Sequence, residues 1–387
     1  MQSQRADSVS GAPSEHIRDD LGDPLREHLH DHIRQAIAEA DGWLPFDRFM
    51  ALALYAPGLG YYAHGSRKFG WMPQSGSDFV TAPEMSPLFG RALAAQVAQA
   101  LRASESDEVF EFGAGSGALA EQLIAALDAA GTPLRRYTIV ELSASLRARQ
   151  AERLARFGER VVWADAWPAQ MHGVVVGNEV LDAMPVQLLA FDGERWFERG
   201  VVAGQGARPF AYADQETGLA PPFDGPFAPG TVTEIHHQAE AFVKTLAERL
   251  QRGAAFFIDY GFPEAEYYHP QRHEGTLMCH RAHQADSDAL ADIGDKDITA
   301  HVNFTGIALA GQDAGLAVIG YTSQARFLIN CGLAALMEGA DLRERTMAQR
   351  LITEHEMGEL FKVIAFATPG LPLDPLGFSA GDRSHRL

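Results

Sequence analysis

The stretch EVFEFGAGSGALAEQLIAALDAAG, residues 108–131, carries the strongest indication of the fold. Its first part is a short apolar run typical of a buried strand, and its last part has the spacing of a helix that ends at Gly131. The glycine-rich turn between them lets a ligand approach the backbone closely, because the glycines have no Cβ. A strand, such a turn and a helix in direct succession predict the first unit of a nucleotide-binding α/β fold.

The same alternation of elements continues on both sides of this unit. Upstream, the pattern predicts helices from His28 to Ala40, from Phe46 to Leu54, and after Ser86-Pro87, where serine caps and proline begins a helix. Downstream, strands are predicted at YTIVEL, RVVWADAW, GVVVGNEV, AAFFIDYG, LAVIGYT and FKVIAFA. Repeated strand–helix–strand units predict a doubly wound parallel sheet with helices on both faces.

This pattern divides the chain into six segments. We predict a disordered N-terminus over 1–26, an N-terminal helical cap with an active-site loop over 27–104, an α/β core over 105–261, an insertion over 262–315, the end of the core over 316–370 and a tail over 371–387. The loop of the cap is rich in glycine, proline and aromatic residues, which indicates an ordered loop that covers a site. Within the core, residues 204–230 are predicted to form a loop or hairpin excursion.

Composition limits the class of protein. The chain has 387 residues and a net charge of −19, which argues against broad nucleic-acid binding. Two cysteines, Cys279 and Cys331, are too few for a disulfide scaffold. No apolar run approaches the ~20 residues of a membrane span, and the first thirty residues lack an export or transit signal. We therefore expect a soluble cytoplasmic protein without a membrane span, and the sequence leaves its oligomeric state open.

The glycine-rich turn is compatible with two cofactors. Gly113, Gly115 and Ala118 match a relaxed dinucleotide fingerprint, whereas Gly113, Gly115 and Gly117 match the E-x-G-x-G-x-G turn of enzymes that use S-adenosylmethionine (SAM). The carboxylate of Glu111 favours SAM, because it would repel a pyrophosphate and attract the ammonium and sulfonium groups of SAM. A tight turn made only for packing is the remaining alternative.

Two more acids follow strands of the predicted sheet. Glu141 ends the second strand, where a carboxylate can accept both ribose hydroxyls of an adenosine. Asp165 ends the third strand and can accept a hydrogen bond from an adenine amino group. Both cofactors would use Glu141, so this acid indicates an adenosine site without separating them. An exposed acid at a strand end is the alternative.

The segment GNEVLDAMP, residues 177–185, follows the fourth strand and faces the same crevice as the turn. Asn178 offers a carbonyl that can align an attacking N–H group, and Glu179 and Asp182 offer two negative charges one helical turn apart. Paired carboxylates match the donors of a guanidinium group and can free one of its nitrogens for methyl transfer. A solvated helix start is the alternative.

A group of cysteine and histidine residues lies in the predicted insertion. Its spacing lacks the paired ligands that zinc sites prefer, so we predict no metal site. The group consists of His269, His273, Cys279, His280 and His283.

Several of these segments together resemble one family. SDFVTAPEMSPLFG, EFGAGSG, VELSASLRARQ, NEVLDAMPVQ, FFIDYG, GTLMCHRAH, DITAHVNFTGIA and MGELFKVIAFA occur in the order seen in MidA-like methyltransferases, relatives of a mitochondrial complex I assembly factor that methylates a protein arginine. The resemblance spans residues 28–370. It implies a seven-stranded, Rossmann-like SAM-methyltransferase core, SAM as cofactor, and a protein arginine as acceptor, in a respiratory complex I subunit or its bacterial counterpart.

The resemblance also assigns site residues. It places Glu111, Gly113, Gly115, Gly117, Glu141 and Asp165 around the cofactor, and Asn178, Glu179 and Asp182 near the transferred methyl group. It adds Thr81, Pro83 and Glu84, which would close over the site from the cap; a plain helix-start acid is the alternative for Glu84.

The sequence departs from the family pattern at two positions. Ser77 replaces a common glycine, and Asn303 replaces a common aspartate, so we leave the neighbouring His301 outside the catalytic set. A non-catalytic assembly protein on the same fold and a nicotinamide-dependent oxidoreductase remain the alternative functions.

Overall fold

The computed structural model describes residues 23–63, 81–206, 208–281 and 284–387. Its helices are α1 Asp23–Glu39, α2 Phe46–Tyr55, α3 Ala82–Met85, α4 Pro87–Ser104, α5 Ala118–Ala129, α6 Ala144–Leu154, α7 His237–Arg249, α8 Glu264–Tyr267, α9 Phe304–Asp313, α10 Gln324–Asn330, α11 Leu333–Glu338 and α12 Leu342–Ile352. Its strands are β1 Leu44–Pro45, β2 Glu108–Phe112, β3 Arg136–Val140, β4 Val161–Ala164, β5 Met171–Asn178, β6 Gln187–Phe191, β7 Trp196–Ala203, β8 Phe210–Glu216, β9 Val232–Ile235, β10 Leu250–Phe262, β11 Met278–Arg281, β12 Gln284–Asp286, β13 Asp297–Thr299, β14 Val302–Asn303, β15 Ala317–Ser323 and β16 Phe361–Ala367.

The largest sheet confirms the predicted α/β class. Its strands follow the order β15-β16-β10-β5-β2-β3-β4. The run from β10 to β4 is parallel, and β16 is antiparallel to both of its neighbours. The two-residue strand β14 also pairs with the end of β10, so the described residues give this sheet eight strands. The resemblance implies seven strands, and the sheet of the described residues has one more.

Helices cover both faces of this sheet, because its central strands are apolar on both sides. Val174 and Val176 of β5 pack in one buried cluster with α4 and α5. Val175, between them, points to the other face and packs in a second cluster with α7 and α9. The cap of α4 is as predicted, since the Ser86 hydroxyl accepts a hydrogen bond from the Leu88 amide at 3.2 Å.

A second sheet lies beside the N-terminal helices. It has the order β1-β7-β6-β9, with β8 paired to β7 as the predicted hairpin excursion. Leu188 and Val201 of this sheet share a buried cluster with Ile33 of α1 and Phe49 of α2. Helices α1 and α2 therefore pack on the second sheet, whereas α4 packs on the main one. Helix α1 begins at Asp23, inside the segment predicted to be disordered, while residues 1–22 lie outside the described part.

The predicted insertion and tail are both built into the molecule. A small sheet, β12-β11-β13, occupies residues 278–299, but α9 packs on the main sheet, so the inserted part ends before Phe304. The tail runs along the free edge of β15, where the Arg383 amide donates to the Tyr321 carbonyl at 2.6 Å. Phe378 of the tail packs against Phe327 at 5.3 Å between ring centroids. Among the described residues, no helix is both long and apolar enough to span a bilayer.

Candidate active site

The glycine-rich turn joins β2 to α5 at the carboxyl edge of the main sheet. Gly113, Gly115 and Gly117 all have positive φ angles, of 66°, 52° and 81°. A Cβ at Gly113 would lie 2.8 Å from Cγ2 of Val180, a contact that real Cβ atoms do not make. The turn is therefore pressed against the segment that follows β5, and any side chain at Gly113 would fill the space between them.

Glu111 lies in the last part of β2, just before the turn. Its side chain is buried, and its Oε2 accepts a hydrogen bond from the Tyr137 hydroxyl at 2.8 Å. Burial raises the pKa of Glu111 to about 8, against the hydrogen bond from Tyr137, which lowers it. A cationic ligand group beside this carboxyl would favour its charged form.

Glu141 follows β3 and is tied to the glycine-rich turn by one glutamine. The Gln150 amide nitrogen donates to Gly115 O at 2.9 Å and to Glu141 Oε2 at 3.2 Å. Ser143 N donates to the other carboxylate oxygen of Glu141 at 2.8 Å. Gln150 is itself held by the Trp163 indole N–H at 2.9 Å. The prediction missed Gln150, although it stands in the quoted motif VELSASLRARQ.

Asp165 follows β4 on the same edge of the sheet. The Glu141 amide donates to the carbonyl of Ala164 at 3.0 Å, so these two strand ends lie side by side. The Asp165 side chain is exposed. The structure thus brings the two acids to one edge, with Glu141 tied to the turn and Asp165 in solvent.

Helix α3 covers the turn from the N-terminal part of the chain. The Glu84 carboxylate accepts hydrogen bonds from the Ser116 hydroxyl and from Arg153 Nη1, the latter at 2.8 Å. The Pro83 carbonyl accepts from Gln122 at 2.7 Å, and Thr81 precedes α3 as its cap residue. Glu84 therefore contacts the glycine-rich turn at Ser116, and Pro83 contacts α5. Most of the predicted active-site loop, including Ser77, lies outside the described residues.

We call residues 178–184, which begin with the last residue of β5, the acid turn. Asn178 Nδ2 donates to Glu179 Oε1 at 2.9 Å, and the Glu179 amide donates to Ile258 O at 2.9 Å. Glu179 has a φ of 54°, which is uncommon for a residue other than glycine. Oδ1 of Asn178 and Oδ1 of Asp182 are buried and have no hydrogen-bond partner among the described residues. Two acceptors buried in this way are ready to receive donors from a ligand.

Asp259 holds the acid turn in place from the neighbouring strand β10. Its Oδ2 accepts from the amides of Val180 at 3.1 Å, Leu181 at 2.9 Å and Asp182 at 3.3 Å. These three donors are the free N–H groups at the start of a helical turn. The prediction missed Asp259, although an acid inside the apolar run FFIDYG is an available signal.

The carboxyl groups of this region have raised pKa values. Burial raises the pKa of Glu179 to about 8, with the charge of Asp182 as the next cause, and burial raises the pKa of Asp182 to about 6. The pKa of Asp259 is also raised, by burial first and then by the charges of Asp182 and Glu179. Buried negative charges crowded together favour a cationic ligand.

Tyrosines from two parts of the chain surround the acid turn. The Tyr55 hydroxyl donates to Ala183 O at 2.7 Å, and Tyr260 acts on Asp182 by lowering the pKa of its carboxyl against the effect of burial. Tyr62 donates to Asp297 Oδ1 at 2.8 Å. The prediction assigned no role to any of these residues. His301, left outside the catalytic set, packs with its ring 5.1 Å from that of Tyr260.

The fold and the site define a class of protein. A glycine-rich turn at the carboxyl edge of a largely parallel sheet, with an acid before it and a second acid after the next strand, fits an adenosine-containing cofactor that carries positive charge. The buried carboxyl of Glu111 just before this turn favours a cationic cofactor such as SAM over an anionic dinucleotide.

Comparison with known proteins agrees with this class. The profile of the family described as "Putative S-adenosyl-L-methionine-dependent methyltransferase" matches residues 92–322, more than half of the chain. The chain belongs to this family, and its cofactor is SAM, which decides between the two cofactors that the turn left open.

Relatives and solved structures cover most of the chain. A crystal structure from Burkholderia thailandensis with bound S-adenosyl-homocysteine is 50% identical, with a TM-score of 0.90, and the match covers 94% of this chain and 97% of that one. The mitochondrial protein arginine methyltransferase NDUFAF7 of Xenopus laevis is 25% identical over 84% of this chain and 81% of its own length. Its Caenorhabditis elegans homologue is 25% identical over 92% and 90%.

Proposed function

We propose that this methyltransferase transfers the methyl group of SAM to an arginine side chain of a protein. One observation carries the proposal. The acid turn carries two buried acceptors, Oδ1 of Asn178 and Oδ1 of Asp182, which have no partner in the part of the chain that the structure describes, and Glu179 lies between these two residues in the turn. A guanidinium group would supply N–H donors to these acceptors and a positive charge to the carboxyl groups.

The residues of the glycine-rich turn and its surroundings would hold the cofactor. We assign this role to Glu111, Gly113, Gly115, Gly117, Glu141 and Asp165, with Thr81, Pro83 and Glu84 covering the site. When bound, SAM supplies an electrophilic methyl group. Glu111 would hold a cationic part of the cofactor, because its carboxyl is buried before the turn.

The acid turn would prepare the acceptor nitrogen. Glu179 and Asp182 bind the guanidinium and draw its positive charge toward two of its nitrogens, which leaves the lone pair of the third more available. The buried carbonyl oxygen of Asn178 orients an N–H of that nitrogen. The acceptor nitrogen would form a C–N bond as the methyl C–S bond of the bound sulfonium breaks and leaves a neutral thioether. The nitrogen would then lose one N–H proton, which a carboxylate whose pKa is about 6, as in Asp182, can accept near neutral pH.

The relatives support arginine as the acceptor. The curated vertebrate and nematode relatives are named as protein arginine methyltransferases of mitochondria. By analogy, we propose a respiratory complex I subunit or its bacterial counterpart as the acceptor, met in the cytoplasm. The net charge of −19 favours a basic protein segment over a nucleic acid as the partner.

The test is transfer of tritium from [methyl-³H]SAM to proteins in a lysate of cells that lack this chain. We expect label in a protein band and, after acid hydrolysis, in methylarginine. Glu179→Gln should abolish the label while leaving SAM affinity, measured by calorimetry, within about threefold, because this residue lies on the acceptor side. Label recovered only in methyllysine or in nucleic acid would contradict the proposal.

A further inference from the structure

Tyr55, the last residue of α2, is bonded to the acid turn and yet partly exposed. Its hydroxyl is fixed to the carbonyl of Ala183, the residue after Asp182, at 2.7 Å. The residue nevertheless remains 40% exposed. Tyr55 is thus anchored to the acid turn through its hydroxyl while part of the residue is open to solvent.

A second tyrosine supports this ring from behind. The rings of Tyr55 and Tyr62 are stacked, with centroids 5.5 Å apart and planes 20° apart. Tyr62 is fixed in turn by its hydrogen bond to the buried Asp297 and by an edge contact with the buried Tyr61 at 4.9 Å. One face of Tyr55 is therefore occupied by Tyr62, and the ring has little freedom to move.

We propose that the outer face of Tyr55 is the platform on which the side chain of the acceptor arginine lies, and that this platform makes the site select arginine over lysine. The inference rests on the proposed function. A guanidinium is planar and weakly hydrated, so it stacks on an aromatic face, whereas an ammonium is a compact and strongly hydrated charge. The platform holds the stem and one face of the acceptor while Glu179 and Asp182 receive its N–H groups.

Charge around the tyrosine agrees with this placement. Burial raises the pKa of the Tyr55 hydroxyl well above its ordinary value, and the charges of Asp297, Asp182 and Glu141 raise it further. Tyr55 is thus within electrostatic reach of acids on the acceptor side and of Glu141 on the cofactor side. A side chain lying on Tyr55 would approach the point where the two halves of the site meet.

The alternative is that Tyr55 only braces the acid turn through its hydroxyl. Three variants separate the two roles. Tyr55→Phe removes the hydroxyl and keeps the face, Tyr55→Trp also lacks the hydroxyl but enlarges the face, and Tyr55→Leu removes both. SAM affinity by calorimetry and far-ultraviolet circular dichroism report whether each variant is folded.

The experiment measures how ethylguanidinium and ethylammonium inhibit tritium transfer from [methyl-³H]SAM to the lysate. We expect the half-inhibitory concentration of ethylguanidinium to stay within about twofold of wild type for Tyr55→Phe and Tyr55→Trp, and to rise about fivefold or more for Tyr55→Leu. The weaker inhibition by ethylammonium should be the same in all four proteins.

Other results overturn the proposal. If the Phe, Trp and Leu variants lose ethylguanidinium inhibition equally, the effect belongs to the hydrogen bond of the hydroxyl. If no variant loses inhibition, Tyr55 does not serve as the platform. In both cases wild type still forms methylarginine, so the proposed function stands. If wild type forms none, the proposed function falls and the platform falls with it.

Discussion

At the scale of single residues, the two acids of the acid turn have pKa values near the physiological range. A carboxyl must be ionised to hold a guanidinium, and the pKa values are about 6 for Asp182 and about 8 for Glu179. We expect kcat/KM for the acceptor to rise with pH between these two values and then level off, because this parameter follows the ionisation of the enzyme before the acceptor binds.

Initial rates of tritium transfer across this pH range, at saturating SAM, check this expectation. Asp182→Asn is the matched variant, since it keeps the shape of the side chain and removes one titrating group. It should lower the rate at every pH and leave the rise attributed to Glu179. A wild-type rate that falls as pH increases from 6 to 8 would contradict the assignment of these acids.

Glu111 gives a second prediction, about stability. Its pKa rises from 4.5 to about 8 on folding, so the folded protein keeps a proton that the unfolded chain releases above pH 4.5. This stabilisation is complete below 4.5 and is lost as pH rises through about 8. Without SAM, Glu111→Gln should therefore raise Tm at pH 9 by about 1–3 °C, while Tm at pH 5 changes little.

Differential scanning calorimetry at both pH values measures the effect. The same variant should bind SAM about tenfold more weakly, because the glutamine carries no charge for the cationic cofactor. Equal Tm differences at both pH values would show that Glu111 does not titrate as described.

At the scale of elements, the contact between the glycine-rich turn and the acid turn couples the two halves of the site. A Cβ at Gly113 would meet Cγ2 of Val180 at 2.8 Å, and φ at this position is 66°. We expect Gly113→Ala to weaken SAM binding at least about tenfold, because both the contact and the backbone conformation oppose the new methyl group.

Val180→Ala supplies the control for this prediction. It removes the colliding methyl group, so the double variant should recover part of the SAM affinity that Gly113→Ala loses, while the backbone strain remains. Calorimetric titration of the wild type, both single variants and the double variant gives the coupling energy. Strict additivity would show that the two turns do not press on each other.

The elements also show which features of the structure can be predicted from the sequence. The strand–turn–helix unit at residues 108–131 and the cap at Ser86 follow from local patterns, because each depends on residues close in sequence. The link from Glu141 to the turn runs through Gln150, whose bond to Gly115 spans 35 residues. Asp259 holds the acid turn from 77 to 79 residues away, and Tyr55 reaches Ala183 across 128 residues. Such partners are set by packing, which short patterns do not encode.

The second sheet was missed for a related reason. Its strands β6 and β9 are short and partly polar, and they become strands by pairing with each other and with β7. Leu188 of β6 is buried in a cluster with residues of α1 and α2, which come from a distant part of the sequence. Periodicity within one segment therefore carried too little signal to identify them.

At the scale of the whole molecule, the C-terminal segment 371–387 closes the edge of the main sheet. It supplies hydrogen bonds to both the N–H and the carbonyl of Tyr321, and it buries Phe378. Deleting this segment should lower Tm by about 5–10 °C, since it leaves an apolar gap and a free strand edge. Differential scanning calorimetry with light scattering should show the lower Tm together with aggregation.

Arg386→Ala is the matched control in the same segment. It removes only a partly exposed ion pair with Glu266, so Tm should stay within about 1 °C of wild type. If the deletion is as mild as this substitution, the segment is dispensable and the edge of β15 is protected in another way.

The backbone angle of Glu179 also bears on how such an enzyme would respond to selection. A left-handed conformation costs a side chain with a Cβ about 1–2 kcal/mol, and glycine adopts it freely. A library screened for heat resistance alone should accordingly enrich Glu179→Gly and yield robust but inactive proteins. Selection for turnover should therefore keep glutamate at this position in spite of its cost in stability.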